Sequence, residues 1–158
     1  MAIAPNTTFV SGAVLTAAQQ NAFGFSTVAL AQATTNYGLT TTMTATGLTV
    51  TFTPIANRNY KISWYEPAVQ ITNIASGQTT MELRVTNAAG TLLQSVITRN
   101  AAAMSGNLQV LCQHIGTFAA TSTIIVACAQ TSSLSDNPNL SRTANKAASL
   151  LIEDIGPA

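Results

Sequence analysis

From Ser26 onward, apolar and polar residues alternate with a period of two, which is the spacing of a half-buried β-strand. The clearest case is Met81–Val85, where Met, Leu and Val alternate with Glu and Arg. A second clear case is Leu48–Phe52, in which the polar positions are threonines. The turn residues of Asn87–Gly90 predict a hairpin that joins Met81–Val85 to a strand at Thr91–Thr98.

The remaining strands follow in the same way along the chain. Leu108–Ile115 and Ser122–Gln130 are predicted to pair with each other, and Ala148–Ile155 is predicted to be the final strand. Pro67 should divide the run from Tyr60 to Ile74 into two strands or mark an edge strand with a bulge. About eight to ten short strands with turns between them predict an all-β fold, a jelly-roll-like antiparallel β-sandwich.

The first 25 residues have a different pattern and are predicted to form an N-terminal arm, with the sandwich in residues 26–158. Thr16 and Gln19 fit a capping box, and Gly24 can end a short helix from Ala17 to Phe23. The arm either docks on a neighbouring subunit or the platform beneath it, or folds back on its own sandwich. Its apolar side chains are the candidate capsid and subunit contacts: Phe9, Val10, Leu15, Phe23 and Phe25.

The composition favours a subunit of a larger assembly. Charged residues make up 7% of the chain, against roughly 25% in an ordinary soluble domain, whereas the apolar fraction is 47%. A neutral, threonine-rich surface can be covered by a neighbour without desolvating charges. The net charge of +1 provides no long-range attraction for nucleic acid or an anionic membrane, so neither is expected as a partner.

Few residues suggest chemistry. His114 is in phase with Cys112, and Cys128 is a candidate for the neighbouring strand. Three residues without a CxxC pair favour a hydrogen-bonded core or interface histidine beside two buried thiols over a zinc site. A hydrolase would need a nucleophile and an acid beside His114, and no Gly-x-Ser-x-Gly motif is present. Glu82 lies on the polar side of its strand and is expected to be solvated or at an interface. No catalytic residue, metal or cofactor is therefore predicted.

Exposed aromatic residues are the alternative signal, because they can line a sugar-binding patch. Trp64 is in phase with Tyr60 and Ile62 and is predicted to be in the core. Tyr65 should face outward, and Tyr65 and Tyr37 are the candidate surface-binding residues.

Two stretches resemble virion proteins of tailed phages. The run from Phe9 to Phe23 (FVSGAVLTAAQQNAF) resembles the lead-in "gly-x-x-leu-thr-ala-x-x-x-asn" of minor structural proteins from tailed phages of actinobacteria and their relatives. The run from Ala148 to Ala158 (ASLLIEDIGPA) resembles the terminal strand "leu-x-val-glu-asp-ile-gly-pro" of the same proteins. Between them, the order of Tyr60–Trp64, the segment around Phe118 and the closing strand is similar to a C1q/TNF-like jelly roll, although Ala120-Thr121 replaces that family's usual glycine-acid pair.

The resemblance implies a non-enzymatic homotrimer on the exterior of a phage particle. Because Met1–Pro5 has neither the basic region nor the long apolar core of a secretory signal, synthesis in the host cytoplasm is expected. A capsid decoration protein that binds the major capsid protein or other virion proteins is the favoured role, since the chain has no coiled coil or collagen-like repeat to form a shaft. The alternative is a minor tail, tail-fibre or head-fibre module that binds a host-surface glycan.

Overall fold

The computed structural model of the chain describes residues 26–71, 77–99, 106–134 and 138–158. The regular secondary structure of these ranges is entirely β-strand. In chain order the strands are β1 (Ser26–Ala33), β2 (Tyr37–Gly38), β3 (Thr44–Phe52), β4 (Arg58–Ile71), β5 (Gln78–Val85), β6 (Leu92–Arg99), β7 (Gly106–Gly116), β8 (Thr123–Thr131), β9 (Asn139–Leu140) and β10 (Ala148–Pro157). The predicted arm of residues 1–25 and its helix lie outside the described residues.

The strands form two antiparallel sheets that pack face to face. Sheet I contains β1, β10, β4 and β7 in that spatial order, with the short strands β9 and β2 extending it on the β10 side of β4. Sheet II has the order β3, β8, β5 and β6. A six-stranded and a four-stranded antiparallel layer, with connections that pass from one sheet to the other, make a jelly-roll-like sandwich. The all-β, jelly-roll-like prediction is therefore confirmed.

The predicted pairing of Leu108–Ile115 with Ser122–Gln130 is wrong. These segments are β7 and β8, and they lie in opposite sheets: β7 pairs with β4, and β8 lies between β3 and β5. The connection of residues 117–122 therefore crosses from one sheet to the other. Alternation identifies which side chains are buried, but it does not identify the partner strand. The hairpin between β5 and β6 is confirmed.

The core lies between the sheets and is built from the inward positions of each strand. Trp64 is fully buried, as predicted, together with Tyr60 and Ile62 on the same strand. Across the core, Phe52 of β3 meets the Tyr60 ring edge-on at 5.2 Å, and Phe118 closes this end of the sandwich at 5.7 Å from Phe52. Large buried aromatic side chains of this kind cost about 3–5 kcal/mol when truncated to alanine.

Strand β4 is a single central strand that contains a β-bulge. Its register with β7 shifts between Glu66 and Val69, so Pro67 and Ala68 occupy the bulge. Proline cannot donate to the sheet ladder, and a bulge is one of the few places where a strand accommodates it. Of the two sequence-based alternatives, the bulge is correct, but it lies in the middle of the sheet and not at an edge.

Candidate binding surface on sheet I

A buried ion pair connects the β4 bulge to the loop that precedes β10. Arg142 donates from Nε to Glu66 Oε1 at 3.0 Å and from Nη2 to Glu66 Oε2 at 2.7 Å. Arg142 is 3% exposed and Glu66 is fully buried. Arg142 Nη1 also donates to the Thr46 carbonyl at 2.8 Å, and Trp64 Nε1 donates to Glu66 Oε2 at 3.3 Å. Both charges thus have partners inside the sandwich.

The other described carboxylates are also matched with basic side chains. Asp154 is buried and accepts a hydrogen bond from Arg58 Nε. Glu82 accepts a hydrogen bond from Arg84 Nε at 2.6 Å and is buried, so of the two expected environments, solvent or an interface, exposure to solvent is wrong. Arg84 also donates to the Gly90 carbonyl at 2.8 Å and so bridges the hairpin. The residue alternation did not predict the burial of Glu82, because it predicts only a polar face for these positions. In the structure the long side chains of Glu82 and Arg84 cover one another.

The two thiols lie in different sheets, so the expectation that Cys128 neighbours Cys112 is wrong. Cys112 is on β7 and belongs to the core cluster, whereas Cys128 is on β8 beside Glu82 and outside that cluster. Burial raises the pKa of each thiol to about 11; for Cys128 the Arg84 cation opposes this effect. His114 is half-buried, with its ring 6.3 Å from that of Phe118. Within the described ranges, no group of three or more His, Cys, Asp or Glu side chains is placed to hold a metal ion.

The side of sheet I that faces away from the core carries exposed aliphatic side chains; we call it the outer face. Leu111 and Ile115 on β7 are 52% and 60% exposed, and Leu30 on β1 is 54% exposed. Leu30 lies opposite Leu151 of β10, which is half-buried. The two outermost long strands of the sheet, β1 and β7, thus each expose leucine or isoleucine side chains.

The centre of the outer face is polar but neutral. Gln113 donates to Ser63 Oγ at 3.0 Å across β7 and β4. Lys61 and Glu153 lie opposite each other on β4 and β10 and form an ion pair at 3.2 Å. These two charges cancel, and the pair is only partly exposed. Because these two charges lie in one ion pair, covering the face does not leave an unpaired charge at its centre.

A groove of about 380 Å³ lies at the bulge end of the outer face. It is lined by Tyr65, Pro67, Ala68, Gln109, Asn145, Lys146 and Ala147. Tyr65, a candidate surface-binding residue, is half-buried here on β4 beside Leu111 of β7. The β4 bulge and the turn before β10 form its two sides.

Tyr37, the other candidate, is not part of this groove. Its hydroxyl donates to Thr44 Oγ1 at 2.8 Å, and its ring packs against the core cluster. The five arm residues Phe9, Val10, Leu15, Phe23 and Phe25 lie outside the described residues.

The residue pattern alone did not identify Gln109, Asn145 and Lys146 as groove residues. They come from β7 and from the turn before β10, and only the strand register and the bulge bring them to Tyr65.

Comparison of the chain with protein-family models and with curated proteins gave no match. Across the described ranges, no helix has the length and apolar character needed to cross a membrane.

Proposed function

We propose that the protein is a non-enzymatic structural subunit of a phage particle that associates with copies of itself through the outer face of sheet I. The observation that carries this proposal is the set of exposed aliphatic residues on the two outermost long strands of one sheet, Leu30, Leu111 and Ile115. Large aliphatic side chains exposed on one face of a sheet are typical of protein interaction sites. A trimer is the expected assembly, because the resemblance to C1q/TNF-like jelly rolls implies threefold packing.

A second copy of the chain is the occupant that suits this face best. A self-association surface meets another copy of the same charges, so unpaired charge would repel its partner. At the centre of the outer face Lys61 and Glu153 neutralise each other, which removes that repulsion there. The aliphatic side chains then supply a favourable contribution of about 25 cal/mol per Å² of apolar surface buried.

The placement on the exterior of a phage head rests on the resemblance at the two termini. In this proposal the arm residues bind the major capsid protein or another virion protein, and the trimer multiplies that contact threefold. Linked contacts give an apparent affinity well above that of a single arm. The pairing of Glu66, Glu82, Glu153 and Asp154 with basic side chains also favours a structural role for these carboxylates.

The solution mass tests self-association directly. Light scattering coupled to gel filtration is expected to give three times the 16.3 kDa mass of the chain. Ile115→Asp places a charge on the outer face and should shift the protein to monomer. Ile97→Asp is the matched control, because Ile97 is 51% exposed on sheet II. A wild-type monomer, or equal effects of the two substitutions, would contradict the proposal.

Location on the particle is tested separately. Quantitative mass spectrometry of purified particles that carry the protein should give a copy number matching the capsid lattice. A copy number matching a single tail would contradict the decoration role and favour the tail or head-fibre alternative.

A further inference from the structure

The groove beside Tyr65 has the size of a small-molecule site. Its volume of about 380 Å³ falls within the roughly 300–1,000 Å³ of ligand pockets. Its floor is formed by Pro67 and Ala68, which are buried at the β4 bulge. Its walls carry side chains from β4, from β7 and from the turn before β10.

The lining combines an aromatic ring with side-chain amides. Tyr65 supplies the ring, and Gln109 and Asn145 each carry both a hydrogen-bond donor and an acceptor. A sugar presents the complementary chemistry: apolar C–H faces that pack on aromatic rings, and hydroxyl groups that both donate and accept hydrogen bonds.

The groove also holds a cation, Lys146, that forms no ion pair with the described residues. In the described part of the chain each carboxylate is paired with a base, in the pairs Arg58–Asp154, Lys61–Glu153, Arg84–Glu82 and Arg142–Glu66. Lys146 is in none of these pairs, and it lies exposed at the groove. Its ammonium group has three donors, so an anionic group bound in the groove would gain charge-assisted hydrogen bonds.

The two walls of the groove are fixed to each other. The Ser141 amide donates to the Ala68 carbonyl at 2.7 Å. Arg142 forms an ion pair with Glu66, the residue that follows Tyr65 in the sequence. The turn itself is closed by reciprocal backbone hydrogen bonds between Thr143 and Lys146, at 3.2 and 3.0 Å. A site assembled before the ligand arrives loses less entropy on binding. Glu66 and Arg142 are positioning residues for this groove.

From these observations we propose that the groove binds a carboxylate-bearing sugar, with the sugar ring on Tyr65, its hydroxyls on Gln109 and Asn145, and its carboxylate on Lys146. A free phosphate fits the groove less well, because a single lysine lacks the fork geometry of arginine or a cluster of backbone amides. This activity goes beyond the structural role proposed above and does not depend on it, since every residue of the groove belongs to one chain.

Paired ligands test the proposal. Titration calorimetry with the purified wild-type protein compares galacturonic acid oligomers with galactose oligomers, glucuronic acid oligomers with glucose oligomers, and sialyllactose with lactose. At least one acidic sugar is expected to bind about tenfold more tightly than its neutral counterpart, which is the effect of one charged hydrogen bond.

Variants assign the binding to the groove. Lys146→Gln should remove the preference for the acidic sugar, and Tyr65→Ala should weaken the acidic and neutral ligands alike. Arg99→Gln is the matched control, since Arg99 is an exposed base on β6 of sheet II. An unchanged urea midpoint shows that each variant is folded.

Three results would overturn the proposal. The first is no binding of any acidic sugar at millimolar concentration. The second is an acidic preference that Lys146→Gln leaves intact. The third is full competition by equimolar inorganic phosphate, which would assign the groove to a phosphate.

Discussion

Glu66 and Arg142 are 76 residues apart in the sequence and form a bidentate ion pair inside the sandwich. The shortest of its hydrogen bonds, from Arg142 Nη2 to Glu66 Oε2, is 2.7 Å long. The pair joins the bulge of the central strand β4 to the loop before β10. Strand pairing alone does not hold this loop, because β9 consists of only Asn139–Leu140. The ion pair therefore holds the loop before β10 against β4.

Glu66→Gln should destabilise the fold strongly. It leaves the Arg142 guanidinium buried without its counter-charge, and breaking one side of a buried pair costs about 3–5 kcal/mol. The same chemical change in the partly exposed pair, Glu153→Gln, should cost no more than about 1 kcal/mol. Urea unfolding of the two variants measures the difference, and equal losses would show that Glu66 is not a buried structural charge.

Both cysteines should be unreactive in the folded protein. Burial raises the pKa of Cys112 and of Cys128 from 9.0 to about 11, so the thiolate fraction near pH 8 falls about a hundredfold. An aromatic disulfide reagent at pH 8 should label neither thiol in buffer and both in urea. Rapid labelling of either thiol in buffer would contradict this burial.

The same thiols should weaken the fold at alkaline pH. The folded state keeps its thiol protons between about pH 9 and 11, where the unfolded chain loses them, so the free energy of unfolding falls as the pH rises through that window. Below pH 9 both states hold the protons and this contribution is constant. Replacing both cysteines by alanine should flatten this part of the pH profile relative to the wild type; an identical slope would exclude the thiols as its cause.

Gly90→Ala should destabilise the β5–β6 hairpin. A Cβ at Gly90 would lie 1.7 Å from the Val85 carbonyl oxygen, so the backbone would have to move. Overpacking of this kind costs about 1–3 kcal/mol. Gly38→Ala is the matched control, because a Cβ there meets no atom within 4 Å, and it should change stability by less than about 0.5 kcal/mol. Thermal unfolding of both variants provides the comparison.

The alternation of residues predicted a large part of the fold because burial on a strand depends on local position. It identified Trp64 as a core residue, and it located the β5–β6 hairpin through its turn residues. Pro67 signalled the bulge, since few other strand positions accept proline.

Other features depended on contacts between distant segments and had no local signal. The partner of β7 could not be predicted, because β4 and β8 both offer apolar inward faces. Glu66 and Arg142 each look like a surface charge when viewed alone. The groove requires the bulge, the register of β7 and the anchored loop together, so only Tyr65 among its polar residues was identified from the sequence.

The position of β10 has a consequence for synthesis of the protein. This strand lies between β1 and β4, although it is the last of the described strands to be translated. The four strands of sheet II can therefore pair on the ribosome, whereas sheet I keeps open edges on β1 and β4 until residues 148–157 emerge. Open edges recruit strands from other molecules. A nascent chain stalled before Ala148 would thus be prone to aggregate, and the cell gains by releasing the chain quickly or by shielding it with a chaperone until translation ends.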